Sequence, residues 1–300
     1  MPMRRRDIRG ARIQSAMEYL MTYGWAILII AIVLGVLYYL GVFNPANFAP
    51  REQPGSCQVL RPNGPGTNFD VGLSGTCNNE PPEYVGKFNG ASSTINVGNS
   101  NALEPSSFTI SGWVRFNANS AWMMVDKGTV NVAGTYYIYG DYVSSGGGNE
   151  PDCTMFGPTG TRYDTFFGTL NTDTFYMLTC EFNASSGTIR TFVNGVLVSS
   201  HTGAALGQNT YNVIIGNYAG GGYFTNGDFG NIQLYNTSLS QPGINALYQE
   251  GIGGPPIDLS NLAGWWPLNG NANDYSGNLN NGAAAAVAYT NAWAFGYTAP

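Results

Sequence analysis

Two unlike patterns divide the chain. From Tyr19 to Phe43 (YLMTYGWAILIIAIVLGVLYYLGVF) twenty-five positions pass without a charge, whereas from Glu83 to Asn236 short segments alternate apolar and polar residues between clusters of Gly, Asn, Ser and Thr. The first pattern predicts one continuous helix of about 37 Å, long enough to cross a bilayer. Tyr19, Tyr23 and Trp25 at one end, and Tyr38, Tyr39 and Phe43 at the other, match the aromatic residues that favour the two membrane interfaces. The second pattern predicts strands at EYVGKFN, STINVG, SFTISGWVRF, TYYIYG, FYMLTCEF, TIRTFVNGVLVSS, YNVIIGN and GNIQLYN. Within the sixth of these, Asn194-Gly195 tolerates positive φ at both positions and predicts a type I′ hairpin turn. One short helix is expected from Leu239 to Gly251, with Pro242 near its start and a glycine at its end. Strands without intervening helices imply an antiparallel sandwich or jelly roll, so the fold class is mainly β behind a single N-terminal helix.

Composition sharpens this reading. Charged residues are only 10% of the 300, while 41 glycines, 19 tyrosines and 15 phenylalanines suit β structure with many turns. The net charge of −6 is unevenly spread: Arg4, Arg5, Arg6, Arg9 and Arg12 crowd the first twelve residues, opposed there by Asp7. Beyond residue 13 the chain keeps 7 basic against 17 acidic side chains. Such a body lacks the clustered basic charge that displaces counterions from phosphates, which excludes nucleic acid as a partner. The arginine cluster keeps the N-terminus cytoplasmic by the positive-inside rule and places everything after Asn44 outside. A removable secretory signal fits less well, because its apolar region is shorter and ends in a small-residue cleavage site.

Glu18 sits at the edge of the apolar run, where a carboxylate is costly unless paired or protonated. The string QSAMEY, Gln14 to Tyr19, follows a basic stretch and immediately precedes the apolar helix. In this combination it resembles archaeal type IV pilin-like precursors with a class III signal peptide. The resemblance implies that a prepilin-type peptidase removes residues 1–13 by cutting between Ile13 and Gln14, and that the helix of residues 14–43 survives as a filament core. It also implies that Glu18, fifth in the processed chain, pairs with the new N-terminal amine of a neighbouring subunit, making a homo-oligomer through the helix. Ile13 departs from the small residue usual before the cut. Localisation is then the cell surface, single-pass with a cytoplasmic N-terminus, or an extracellular filament after processing.

Residues 44–56 carry three prolines and no periodicity, which reads as an extended stalk. Cys57, Cys77, Cys153 and Cys180 follow. An even count outside the cell favours disulfides, with three possible connectivities. Pairing Cys57 with Cys77 and Cys153 with Cys180 closes loops of roughly 20–30 residues, each contributing roughly 3 kcal/mol on the chain-entropy account.

In the remainder, residues 57–300, the order of SFTISGWVRF, FYMLTCEFN, IRTFVNGVLV, VIIGN and GNIQLYNTSLS followed by a helix resembles the concanavalin-A-like, laminin-G-type jelly roll. That resemblance implies the fold and leaves function open, since such sandwiches serve as lectins, adhesion modules, enzymes and structural domains. LAGWWPLNGNANDYSGNLNNG, Leu262 to Gly282, resembles the segment that usually opens such a domain, yet here it comes last. It either fills a permuted edge-strand slot in its own domain or is donated to a neighbouring subunit.

Catalytic signals are weak. His201 is the single histidine, GxSxG is absent, and Glu181 is a lone acid on its strand. The chain is therefore expected not to be an enzyme. The oxygen-rich loops around Asp274 and Asp228 offer the carboxylates and carbonyls that Ca²⁺ prefers, although turn-forming Asn and Asp look the same in sequence. Asn183 (NAS) and Asn236 (NTS) fit the glycosylation sequon. The expected function is structural or adhesive: a pilin-like subunit or anchored adhesin that meets the membrane through its helix and glycans or surface proteins through its head. The alternative is a monomeric membrane-anchored lectin or, further down the order, a surface glycan-active enzyme.

Overall fold

A computed structural model describes residues 23, 25–36, 84–117, 121–140, 150–290, 297 and 300. Residues 1–13 with Ile13, then Gln14, Glu18, the 44–56 stalk, Cys57 and Cys77 lie outside the described residues. By contacts the chain divides into two compact units, Met1–Pro54 and Gly55–Pro300. In the first, residues 25–36 are helical (α1). Its large apolar side chains, from Trp25 to Val36, are exposed. These twelve residues span about 18 Å. Among the described residues no helix is long and apolar enough to cross a membrane, and the expected Tyr19–Phe43 span runs past them on both sides.

The second unit is an antiparallel sandwich of two sheets. Among the described residues its strands are β1 (Val85–Asn89), β2 (Thr94–Gly98), β3 (Phe108–Phe116), β4 (Trp122–Lys127), β5 (Tyr136–Gly140), β6 (Asp152–Phe156), β7 (Arg162–Phe166), β8 (Tyr176–Asn183), β9 (Thr188–Val193), β10 (Val196–Thr202), β11 (Val213–Ile215), β12 (Asn226–Tyr235), β13 (Leu262–Trp266), β14 (Ala283–Ala285) and β15 (Ala288–Thr290). One sheet runs β10-β9-β8-β3-β12-β1-β15 with β13 also on β12; the other runs β14-β2-β11-β4-β5-β6-β7. Asn194 and Gly195 take φ of 51° and 77° between β9 and β10, the left-handed pair that a type I′ turn requires.

Alternation along the strands sends Phe88, Ile110, Val114, Trp122, Ile138, Met155, Leu178, Ile215 and Phe229 into the space between the sheets. Cys153 on β6 and Cys180 on β8 meet there in a disulfide, tying one sheet to the other through fully buried sulfurs. The outer face of the larger sheet is also covered. Helix α2 (Gln241–Gln249) starts at the Ser240 hydroxyl, which accepts from Gly243 N, and lays Ile244 and Leu247 over Trp113, Met177 and Phe192.

The terminal Trp-Trp segment pairs within its own chain. β1 lies along residues 226–229 of β12 and β13 along residues 232–235, so two short strands share one edge of a ten-residue strand. Both indoles are buried and satisfied. Trp265 Nε1 donates to Asn231 Oδ1 at 2.7 Å, and Trp266 Nε1 donates to Asn280 O at 2.9 Å.

Candidate functional site

Strands β4 to β7 send alternate side chains away from the core, and the pairing register sets those side chains in two rows. Asp126 stands opposite Tyr137, then Thr154, then Asp164. One step along the strands come Met123, Tyr139, Asp152 and Phe166. Between β11 and β12 the chain loops past this face and adds Tyr218 and Tyr223. Tyr139 and Tyr218 pack on the buried trio Met123, Tyr137 and Phe156. Tyr223, 45% exposed, makes edge contacts with Tyr139 at 5.8 Å and with Tyr218 at 5.6 Å. The result is a lattice of tyrosine rings that is firm beneath and open above.

Acids border the rings. Arg162 donates through Nη2 to Asp152 Oδ2 at 3.1 Å and through Nε to Asp164 Oδ1 at 2.6 Å. The Thr154 hydroxyl lies between the same two oxygens, at 3.0 and 2.6 Å. Asp126 Oδ2 accepts from Ala219 N, in the tyrosine-bearing loop, at 2.5 Å. Burial pushes the Asp126 carboxyl up to about 7, against the pull of the Ala219 and Lys127 amides. Burial also pushes Asp152 up to about 6, opposed by Thr154 and Arg162. Three buried acceptors here, Asp126 Oδ1, Asp152 Oδ1 and Asn217 Oδ1, have no hydrogen-bond partner among the described residues. Each such oxygen carries a desolvation penalty of about 1–3 kcal/mol.

Asp152 and Asp164 are joined to one another by the Arg162 guanidinium and the Thr154 hydroxyl.

The residues singled out from sequence lie elsewhere. Asp274, a calcium-ligand candidate from the sequence, forms a structural knot. Its Oδ1 accepts from Trp265 N and Ser276 N, its Oδ2 from Ser276 Oγ and Asn280 N, and these four donors use both oxygens of a fully buried side chain. Asp228, the other candidate, is also held within the fold. It is buried on β12 and paired with Arg115 at 2.8 Å; burial raises its carboxyl and Arg115 opposes that rise. Among the described residues no group of three or more His, Cys, Asp or Glu side chains is placed to hold a metal ion. Glu181 is buried against Arg190 at 2.5 Å and receives the Ser238 hydroxyl. His201 is exposed on β10, its ring 6.0 Å from that of Tyr163. Asn183, half-buried at the end of β8, and Asn236, exposed just beyond β12, flank the start of β3 at one end of the sheet.

Sequence reasoning missed the tyrosine face itself. The available signal was TYYIYG, which puts Tyr137 and Tyr139 on one side of a strand, together with a second tyrosine pair in NYAGGGYF.

Comparison with known proteins bears on the fold. Residues 89–245 match the Laminin_G_3 family, described as Concanavalin A-like lectin/glucanases superfamily. Among solved structures, a candidate carbohydrate-binding protein from Bacteroides ovatus ATCC 8483 is similar at 14% identity and a TM-score of 0.55, over 71% of this chain and 60% of that one. A heptameric SAP-like pentraxin from Limulus polyphemus is similar at 12% identity and a TM-score of 0.50, over 70% of this chain and 95% of that one. The chain thus spans 60% of the length of the Bacteroides protein. No curated protein matches it. At these identities the likeness is one of fold.

Proposed function

Since the chain belongs to the concanavalin A-like lectin/glucanases superfamily, we propose that its sandwich is a non-catalytic glycan-binding module, held at the cell surface by the N-terminal helix. The observation that carries this reading is the combination on one sheet face of an open tyrosine lattice with the partly exposed Asp164 carboxylate and Arg162 guanidinium at its border. Sugar rings offer both complements at once: apolar C–H faces that lie on aromatic rings, and hydroxyls that donate to carboxylates. The carbohydrate-binding description of the Bacteroides protein agrees with this reading.

The helix and its surroundings define how the head is presented. A processed N-terminus at Gln14 with Glu18 paired in a helix bundle makes the chain a pilin-like filament subunit that displays lectin heads. Retention of Met1 makes it a single-pass anchored lectin. Mass spectrometry of the cell-surface protein separates the two. A glycan array probed with the detergent-solubilised full chain tests the binding itself. Retention of a defined glycan class supports the module, and an array with no retained glycan rejects it.

A further inference from the structure

Lys127 ends β4 with no exposed surface. Its Nζ lies 2.7 Å from Asn99 Oδ1, 2.6 Å from Tyr211 O and 2.6 Å from Glu104 Oε1. Asn99 follows β2, and Glu104 follows the 3-10 turn Asn101–Leu103. β11 runs between β2 and β4, with Val213 in register with both Gly98 and Lys127, so the Lys127 side chain and Asn99 bridge three neighbouring strands. None of these side chains belongs to the tyrosine face.

The chemistry of the cluster goes beyond an ion pair. Burial lowers the Lys127 pKa, while the Glu104 carboxylate opposes that fall. A lysine amine freed of its proton is a strong nucleophile. Its neighbour Asn99 presents a carboxamide whose oxygen already receives the Nζ hydrogen, which polarises the Cγ carbon. Glu104 stands within proton-transfer reach of the same nitrogen.

We propose that Lys127 and Asn99 become joined by an intramolecular isopeptide bond, formed by the protein itself with Glu104 as proton carrier. Glu104 takes a proton from the ammonium, and the freed lone pair forms an Nζ–Cγ bond. The Cγ–Nδ2 bond then breaks, and the departing nitrogen leaves protonated. The lysine ammonium and the asparagine carboxamide become one secondary amide and one ammonium ion, with nothing oxidised or reduced. Asn99 is exposed, so the leaving group has a direct route to water. The bond fastens the β2 end of the sheet to β4 independently of the disulfide.

The test is peptide mapping of the reduced, purified full chain. The expected result is a linked peptide containing both Asn99 and Lys127, lighter than its two parts by about 17 Da, one ammonia, with no tryptic cleavage after Lys127. Asn99→Ala, a change at an exposed position, keeps the fold and abolishes the linked species. Glu104→Gln retains both reacting groups and yields mostly unlinked chain. Separate, unmodified Asn99 and Lys127 peptides from the folded wild-type protein overturn the proposal. Linkage that persists undiminished in Glu104→Gln overturns the role of Glu104.

Discussion

The Tyr137 and Tyr139 rings, two positions apart on β5, meet edge to face with centroids 6.2 Å apart on the outer side of the smaller sheet. That contact couples a buried ring to one that solvent reaches, and it divides the work of the face. Tyr137 belongs to the packing; Tyr139 looks out at whatever binds. Tyr139→Ala is therefore expected to weaken glycan binding at least about tenfold, a loss of about 1.4 kcal/mol, with a small change in stability. Tyr137→Ala is expected to cost about 3 kcal/mol in urea unfolding, as removal of a buried ring does. A titration and an unfolding curve for each variant check both statements.

Stability should fall as pH rises across the window set by the buried acids. Burial raises Asp126 to about 7 and Asp152 to about 6, above the ordinary value of 3.8. Between about pH 4 and pH 7 the folded chain therefore holds more protons at these sites than the unfolded chain, and each loses its contribution as it ionises. The urea midpoint is expected to be higher at pH 5 than at pH 8. Asp126→Asn should flatten that slope, and an unchanged slope in the variant would remove Asp126 from the account.

Asp274 holds the terminal segment. Asp274→Asn converts one accepting oxygen into a donor and sets it against either the Trp265 and Ser276 amides or the Ser276 hydroxyl and the Asn280 amide. The expected cost is about 3 kcal/mol in unfolding, with the Trp265 fluorescence changing in the same transition.

Reducing the Cys153–Cys180 disulfide should also be costly. The bond closes a separation of 27 residues between opposite sheets, so its loss is expected to lower stability by roughly 3 kcal/mol, measured as the unfolding midpoint with and without reductant.

How far the sequence was readable follows from what each strand faces. SFTISGWVRF, FYMLTCEF, TIRTFVNGVLVSS and GNIQLYN all fall on observed strands, because one side meets the core and the other water, a neighbour or α2 in a regular period of two. WMMVDK, DCTMF and RYDTF, which became β4, β6 and β7, carried no such signature. Met123 and Phe156 are apolar on the outward side, and Asp126 and Asp152 are acids that end up buried, so the pattern blurs where the candidate site lies. The role of the Asp274 loop was not legible for a related reason. Asn and Asp that organise a buried turn look the same in sequence as those that ligate calcium, and the four donors converging on Asp274 are visible only in the fold. The position of β13 became readable only once the pairing with β12 was known, since two short strands share the slot that one long strand would fill.

The most direct measurement is calorimetric titration of the full chain with a glycan retained on the array, comparing wild type with a Tyr139→Ala/Tyr223→Ala variant. The account predicts saturable binding by the wild type and its loss in the variant, with the two unfolding midpoints close together. Undiminished binding by the folded variant would contradict it, because the ligand would then sit somewhere other than the tyrosine face.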